Sequence, residues 1–122
     1  MTFEILALVM TFACCVLGIR FIVFGGGVLR EWGLESTAGA LIVFRRMGLM
    51  YLGLALMFFL GRTAATSEIR SAVCLVMGGT ALLLAGLGVF EFLARRAGAG
   101  IFRSAVAEAV LGAAFFWVWW AG

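Results

Sequence analysis

The feature that most constrains this chain is a series of four apolar runs, each long enough to cross a lipid bilayer. The runs cover residues of about 3–24, 38–60, 71–92 and 105–121, and one span needs ~20 apolar residues. Backbone polar groups inside hydrocarbon must be satisfied within their own segment, and four spans are too few to close a barrel. We therefore expect an all-α integral membrane four-helix bundle, with residues 1–122 forming a single membrane domain.

Composition supports this class and removes several kinds of chemistry. Hydrophobic residues make up 66% of the chain and charged residues 12%, whereas soluble domains are about half apolar and a quarter charged. All nine basic residues are Arg, all six acidic residues are Glu, and His, Lys, Asp, Asn, Gln and Pro are absent. Without His, a Ser-His-Asp triad and the commonest zinc or haem ligand are excluded. We expect neither an enzyme nor a cofactor bound by this chain.

The arginines are distributed unevenly between the turns. Only Arg62 and Arg70 flank the second turn, while the other seven of nine lie in or near the first and third turns. Because cytoplasmic loops carry the excess of Arg, we predict a multi-pass protein of a bacterial inner membrane with both termini outside. The apolar N-terminus lacks a basic start, which favours a retained span over a cleaved signal. The segment "GGGVLREWGLES" predicts an interfacial turn or short helix with Trp32 at the headgroups.

Five charges on four different runs fall near the predicted cytoplasmic end: Arg20, Arg45, Arg46, Glu91 and Glu108. A carboxylate that faces acyl chains is unfavourable, so each Glu should find a partner within the bundle. At 100° per residue three stripes emerge, which are Arg46 with Gly53, Met57 and Gly61, Glu91 with Thr80, Leu84 and Gly88, and Glu108 with Ala105 and Gly112. We predict a buried charged cluster in which Arg46 meets Glu91 or Glu108 and Arg20 or Arg45 completes the set.

Two other interpretations of these charges remain open. The arginines lie near a helix end, so they can extend to the headgroups and only mark the membrane boundary. A buried cluster, in turn, can be a purely structural network that fixes helix register, or a site for an anion, a lipid headgroup or a proton.

The adjacent Cys14 and Cys15 lie in the middle of the first run. "FACCVLG" resembles the paired cysteines in the first helix of the small mercuric-ion transporters, which implies thiols that pass a soft metal ion. The alternative is that these cysteines are small apolar packing residues, and it is the one we expect. We predict no bound metal.

The chain from Arg45 onward resembles the DoxX-like superfamily of small four-helix membrane proteins, in its uncharacterised branch. The resemblance rests on an Arg-x-x-Gly-x-x-x-x-Gly segment at Arg45, Gly48 and Gly53, and on an inward Glu at Glu108. It implies a four-helix bundle, and some such proteins are small subunits of quinone-linked membrane oxidoreductases.

These observations predict a non-catalytic subunit or scaffold of a membrane complex. The alternatives are a homo-oligomeric channel or transporter built around the Arg/Glu cluster, and a small subunit of a quinone-linked oxidoreductase. The expected partners are membrane lipids and either other membrane subunits or further copies of the chain, with no nucleic acid.

Overall fold

The computed structural model describes residues 2–122 and confirms the all-α class, with no strand in that range. Four helices are long and apolar enough to span a membrane. They are α1 (Phe3–Val23), α3 (Ala38–Leu60), α4 (Glu68–Leu93) and α5 (Ile101–Ala121), and α2 (Gly25–Glu31) is a short helix between the first two. The shortest spans have 21 residues, which at ~1.5 Å per residue covers a hydrocarbon core of about 30 Å. The chain is a small multi-pass membrane protein.

Polar caps determine where three of these helices begin. Thr2, Thr37 and Ser67 precede α1, α3 and α4, and each side-chain oxygen accepts a hydrogen bond from the backbone N–H three residues further on, at 3.1–3.2 Å. Because Ser67 caps it, α4 starts at Glu68 and not at 71 as predicted, and an acid in the first turn favours that start. The prediction from apolar residues alone also made α5 too short, because it started the helix at 105. In the structure α5 begins at Ile101 and includes Arg103.

The four spans form two antiparallel hairpins, each held together by a pair of glycines. In the first hairpin, an added Cβ on Gly18 would lie 2.9 Å from the carbonyl oxygen of Gly48, and one on Gly48 would lie 2.7 Å from that of Gly18. In the second hairpin, a Cβ on Gly112 would lie 3.0 Å from the carbonyl oxygen of Gly78. Helix backbones in membranes approach this closely only where the facing residues are small.

The two hairpins are repeats of one another. "CCVLG" at residues 14–18 of α1 matches "CLVMG" at residues 74–78 of α4. In both hairpins the residue four positions after one glycine packs against the other glycine, and these residues are Ile22, Leu52, Leu82 and Phe116. Both hairpins also run in the same direction, since the Arg70 guanidinium at the start of α4 lies 4.6 Å from the Phe3 ring at the start of α1. The fold is thus a tandem repeat of one helical hairpin.

The hairpins meet mainly at the end of the bundle that holds both termini. There the Phe58 and Phe115 rings, from α3 and α5, lie 5.9 Å apart between their centroids. The surrounding core contains residues from all four spans, namely Phe3, Leu6, Ala7, Met10, Cys14, Ala55, Phe58, Cys74, Phe115 and Val118. At the opposite end, α2 packs on α1 and α3 through Phe21, Val28, Leu29 and Phe44. Between these two regions the hairpins separate and leave space.

Candidate functional site

The five predicted cluster charges do not meet, so the expectation of one buried charged cluster is wrong. Arg20 Nη2 donates to Glu31 Oε2 at 2.9 Å, and Arg103 Nη1 lies 3.2 Å from Glu31 Oε1. Glu91 Oε2 instead accepts from Arg96 Nε at 2.5 Å. Arg45, Arg46 and Glu108 form no ion pair within residues 2–122, and no charged residue in that range is fully buried.

The local fold explains why Glu31 replaces the expected acids. α2 turns back directly after α1, which brings its C-terminal Glu31 beside Arg20 and close to the start of α5 at Arg103. Sequence reasoning missed Glu31 because it lies in the loop segment and outside every apolar run. The sequence feature that could have identified Glu31 is the amphipathic pattern of α2, because a helix with one buried apolar face carries its charged residues on the other face.

The stripe of Arg46 on α3 does lie on one face of the helix, but that face is the outer one. α3 turns Phe44, Gly48, Ala55 and Phe58 toward the bundle. Arg46, Met50, Gly53 and Met57 are all exposed, and a Cβ on Gly53 would meet nothing within 4 Å. We call these four residues the outer stripe of α3. Arg45 is exposed too, and its position agrees with the interpretation in which it extends toward the headgroups.

The stripe of Glu108 lies on the packed face of α5, whereas the stripe of Glu91 on α4 includes the exposed Thr80 and Leu84 and borders a cavity. On α5, Ala105 and Gly112 are buried and Glu108 is half-buried between them. On α4, Leu84, Gly88 and Glu91 line the same space. The resulting outer cavity has a volume of about 290 Å³ and is otherwise lined by Trp32, Leu34, Leu87, Arg96, Ala97, Ile101, Ser104, Ala105 and Glu108. It lies between the hairpins, toward the end where α2 packs.

A smaller inner cavity adjoins it deeper in the bundle. Its volume is about 100 Å³, and it shares Leu84 and Glu108 with the outer cavity. Cys14, Tyr51, Met77 and Thr80 are among its other lining residues. Glu108 therefore lines both cavities, and its carboxylate forms no hydrogen bond or ion pair with residues 2–122.

An ion pair of Arg96 with Glu91 lies at the rim of the outer cavity. The hydrogen bond that Arg96 donates to the Glu91 carboxylate raises the pKa of Arg96, so this guanidinium is protonated at every physiological pH. Arg96 also lies 5.1 Å from the centroid of the Phe90 ring. Two residues further along the same loop, the Gly98 N–H donates to the Trp32 carbonyl at 2.7 Å, which ties the α4–α5 loop to the end of α2.

The cysteines occupy packing positions. Cys14 and Cys74 are each 1% exposed within the core, at matching places in the two repeats, and Cys15 is half-buried. Within residues 2–122, no group of three or more His, Cys, Asp or Glu side chains is close enough to hold a metal ion. This placement favours the packing interpretation of Cys14 and Cys15.

Comparison with family models, curated proteins and solved structures finds no match for this chain.

Proposed function

We propose that the chain is a non-catalytic membrane subunit that binds a foreign membrane helix along the outer stripe of α3. The observation behind this proposal is that Arg46 lies on an exposed face with Met50, Gly53 and Met57. An arginine inside a span is stabilised by a carboxylate partner, and within residues 2–122 no carboxylate pairs with Arg46.

The other residues of the stripe suit a helix–helix contact. Open space at Gly53 allows a neighbouring backbone to approach closely. Met50 and Met57, which are 72% and 45% exposed, have flexible and polarisable side chains that adapt to a partner surface. The partner expected from this chemistry is a helix with small residues and one Asp or Glu at the depth of Arg46.

Charge disfavours a second copy of the chain as the occupant. Two copies inserted in the same direction around a two-fold axis would place Arg46 beside Arg46 at equal depth, which is repulsive. The channel alternative was built on a shared Arg/Glu cluster, and its five charges lie apart in this structure. The foreign partner is therefore the better supported proposal.

The superfamily and the location belong to this proposal too. Arg45, Gly48, Gly53 and Glu108 support a DoxX-like protein, and a small subunit in an inner-membrane complex fits that resemblance. The excess of arginines at the α2 end supports a cytoplasmic position for that end, with both termini outside.

Site-specific crosslinking in the native membrane tests the contact. A photoreactive benzoylphenylalanine replaces Met50 on the outer stripe, which is 72% exposed, and Leu83, which is 76% exposed on α4, is the matched control position. We expect an adduct with one foreign membrane protein from position 50 and none from position 83. The crosslinked partner helix should contain an acidic residue, and Arg46→Glu should abolish the adduct until that acid is changed to Arg. An adduct of twice the chain's mass, or equal adducts at both positions, would contradict the proposal.

A further inference from the structure

We propose that the outer cavity binds a small amphipathic cation, an ammonium group with a short apolar body, with the Glu108 carboxylate as its counter-ion. This site is separate from the outer stripe of α3 and does not depend on the partner proposed for that stripe.

The charges that face the cavity favour a cation. Three charged side chains line it, namely Glu91, Arg96 and Glu108. Arg96 and Glu91 are paired at 2.5 Å and neutralise each other. The carboxyl group of Glu108 therefore lacks a partner within residues 2–122, and its ionised form attracts a cation and repels an anion in this low-dielectric space.

The position of Glu108 is difficult to explain by packing alone. It lies in the part of α5 that spans the membrane, half-buried, and accepts no hydrogen bond or ion pair from residues 2–122. Structural carboxylates inside membranes are paired, and unpaired ones commonly mark ligand or ion pathways. The site also differs from a metal centre built of His, Cys, Asp or Glu, because within the described residues no group of three or more such side chains is close enough to hold a metal ion.

The remaining lining residues fit the apolar body of such a ligand. Leu84, Leu87 and Ile101 form the wall, and Trp32 lies at the α2 end of the cavity. An indole ring attracts an ammonium group through its π face. The volume of about 290 Å³ is at the lower limit of small-molecule sites, which restricts the ligand to roughly the size of a benzylammonium.

A matched pair of probes separates charge from shape. Benzyltrimethylammonium carries a permanent positive charge, and neopentylbenzene is its neutral carbon isostere. Binding of both to the purified chain in mild detergent is measured by calorimetry, for the wild type, for Glu108→Gln and for Glu35→Gln. Glu35 is an exposed acid in the α2–α3 loop at the same end of the bundle, so it controls for general electrostatics. Melting temperatures verify that each variant is folded.

We expect the wild type and Glu35→Gln to bind the cation at least about tenfold more tightly than the neutral isostere. Glu108→Gln should weaken cation binding by about ten- to a hundredfold and leave binding of the isostere unchanged, which would also show that the cavity is intact. Equal cation affinity in the wild type and Glu108→Gln would overturn the proposal.

A second measurement requires no change at Glu108. In the NMR spectrum of the wild-type chain, the cation should shift the indole N–H signal of Trp32, which a Trp32→Phe variant assigns. The signals of Trp117, Trp119 and Trp120, from the opposite end of α5, should stay in place. Shifts confined to those three tryptophans would locate the cation elsewhere and refute the site.

Discussion

Replacing Gly48 by alanine should open the first hairpin. A Cβ at this position would lie 2.7 Å from the carbonyl oxygen of Gly18 and would also overlap the Ile22 side chain. The oxygen belongs to the α1 backbone and cannot rotate away, so α1 and α3 must separate by roughly half an ångström, a gap that forfeits about a quarter to a half of each dispersion contact along the crossing. We expect a loss of ~1–3 kcal/mol in the free energy of unfolding, as for other overpacked cores.

The same helix offers the control. Gly53 lies on the outer stripe, where an added Cβ would meet nothing within 4 Å. Gly53→Ala has the same change in composition and in helix propensity, so it should be neutral or slightly stabilising, within about 0.5 kcal/mol. The difference in stability between Gly48→Ala and Gly53→Ala therefore reports the contact between α1 and α3, because the change in helix propensity is the same in both variants.

Reversible unfolding in mixed detergent micelles, followed by far-ultraviolet circular dichroism, measures both variants. Because the repeat places Gly112 in the equivalent position, Gly112→Ala should behave like Gly48→Ala, and the two losses should add since the glycines contact different partners. Equal effects of Gly48→Ala and Gly53→Ala would show that the glycine crossing does not hold the hairpin, and the reasoning would fail.

Three further predictions concern the ends and the core. Removing the negative charge with Glu31→Gln should destabilise the α2 end by about 1 kcal/mol, and a double-mutant cycle with Arg20→Ala should be non-additive, since their atoms lie 2.9 Å apart; strict additivity would contradict the pair. Cys14 and Cys74, each 1% exposed, should react with a maleimide only after unfolding, as mass spectrometry will show, and rapid labelling of the folded chain would contradict their burial. A periplasm-active reporter fused after Gly122 should be active and one in the α4–α5 loop inactive, because seven of nine arginines flank the α2 end; the reverse pattern would invert the topology.

The fold was largely predictable from the sequence, because hydrocarbon leaves helices as the only structure for isolated apolar runs. The packed stripe of Glu108 was predictable for a related reason, since small residues at helical spacing mark the packed face. The Arg46 stripe was assigned to the wrong side because Gly53 suggested a packed face, whereas α3 packs through Phe44, Gly48 and Ala55. Glycine spacing alone does not distinguish between two glycine-bearing faces of one helix.

The pairing of charges was not predictable, because it depends on the path of the segment that connects α1 to α3. Glu31 meets Arg20 only since α2 folds back across the end of α1, and nothing in the apolar pattern specifies that path. The repeat was visible in "CCVLG" and "CLVMG" and would have identified Gly18 and Gly78 as equivalent positions. It also would have separated the packing role of Cys14 from metal chemistry, because Cys74 has the same position.

The repeat also shows why the candidate site belongs to the second hairpin. Phe44 stands four residues before Gly48, and Glu108 stands four residues before Gly112. In the first hairpin Phe44 is covered, with its ring centroid 5.0 Å from that of Phe21 and 5.8 Å from that of Trp32. The second hairpin has no counterpart of α2 within the described residues, and at the equivalent position it has a carboxylate and a cavity. The two hairpins therefore differ in chemistry at this position, where a short helix covers the first hairpin and no short helix in residues 2–122 covers the second.

Glu108→Phe tests this relation by making the second hairpin resemble the first. A phenylalanine would fill the outer cavity with apolar surface and remove an unpaired charge, and exchanging a buried charge for a packed hydrophobic group is neutral or stabilising. We expect the variant to be more stable by about 1–2 kcal/mol in the unfolding assay, and to bind neither benzyltrimethylammonium nor its neutral isostere. Phe12→Leu, on the exposed face of α1, is the control variant, in which an apolar substitution away from the cavity should leave stability and binding unchanged. A marked loss of stability in Glu108→Phe would mean that the carboxylate supports the fold, and that the cavity is a by-product of its solvation and not a site that evolved around it.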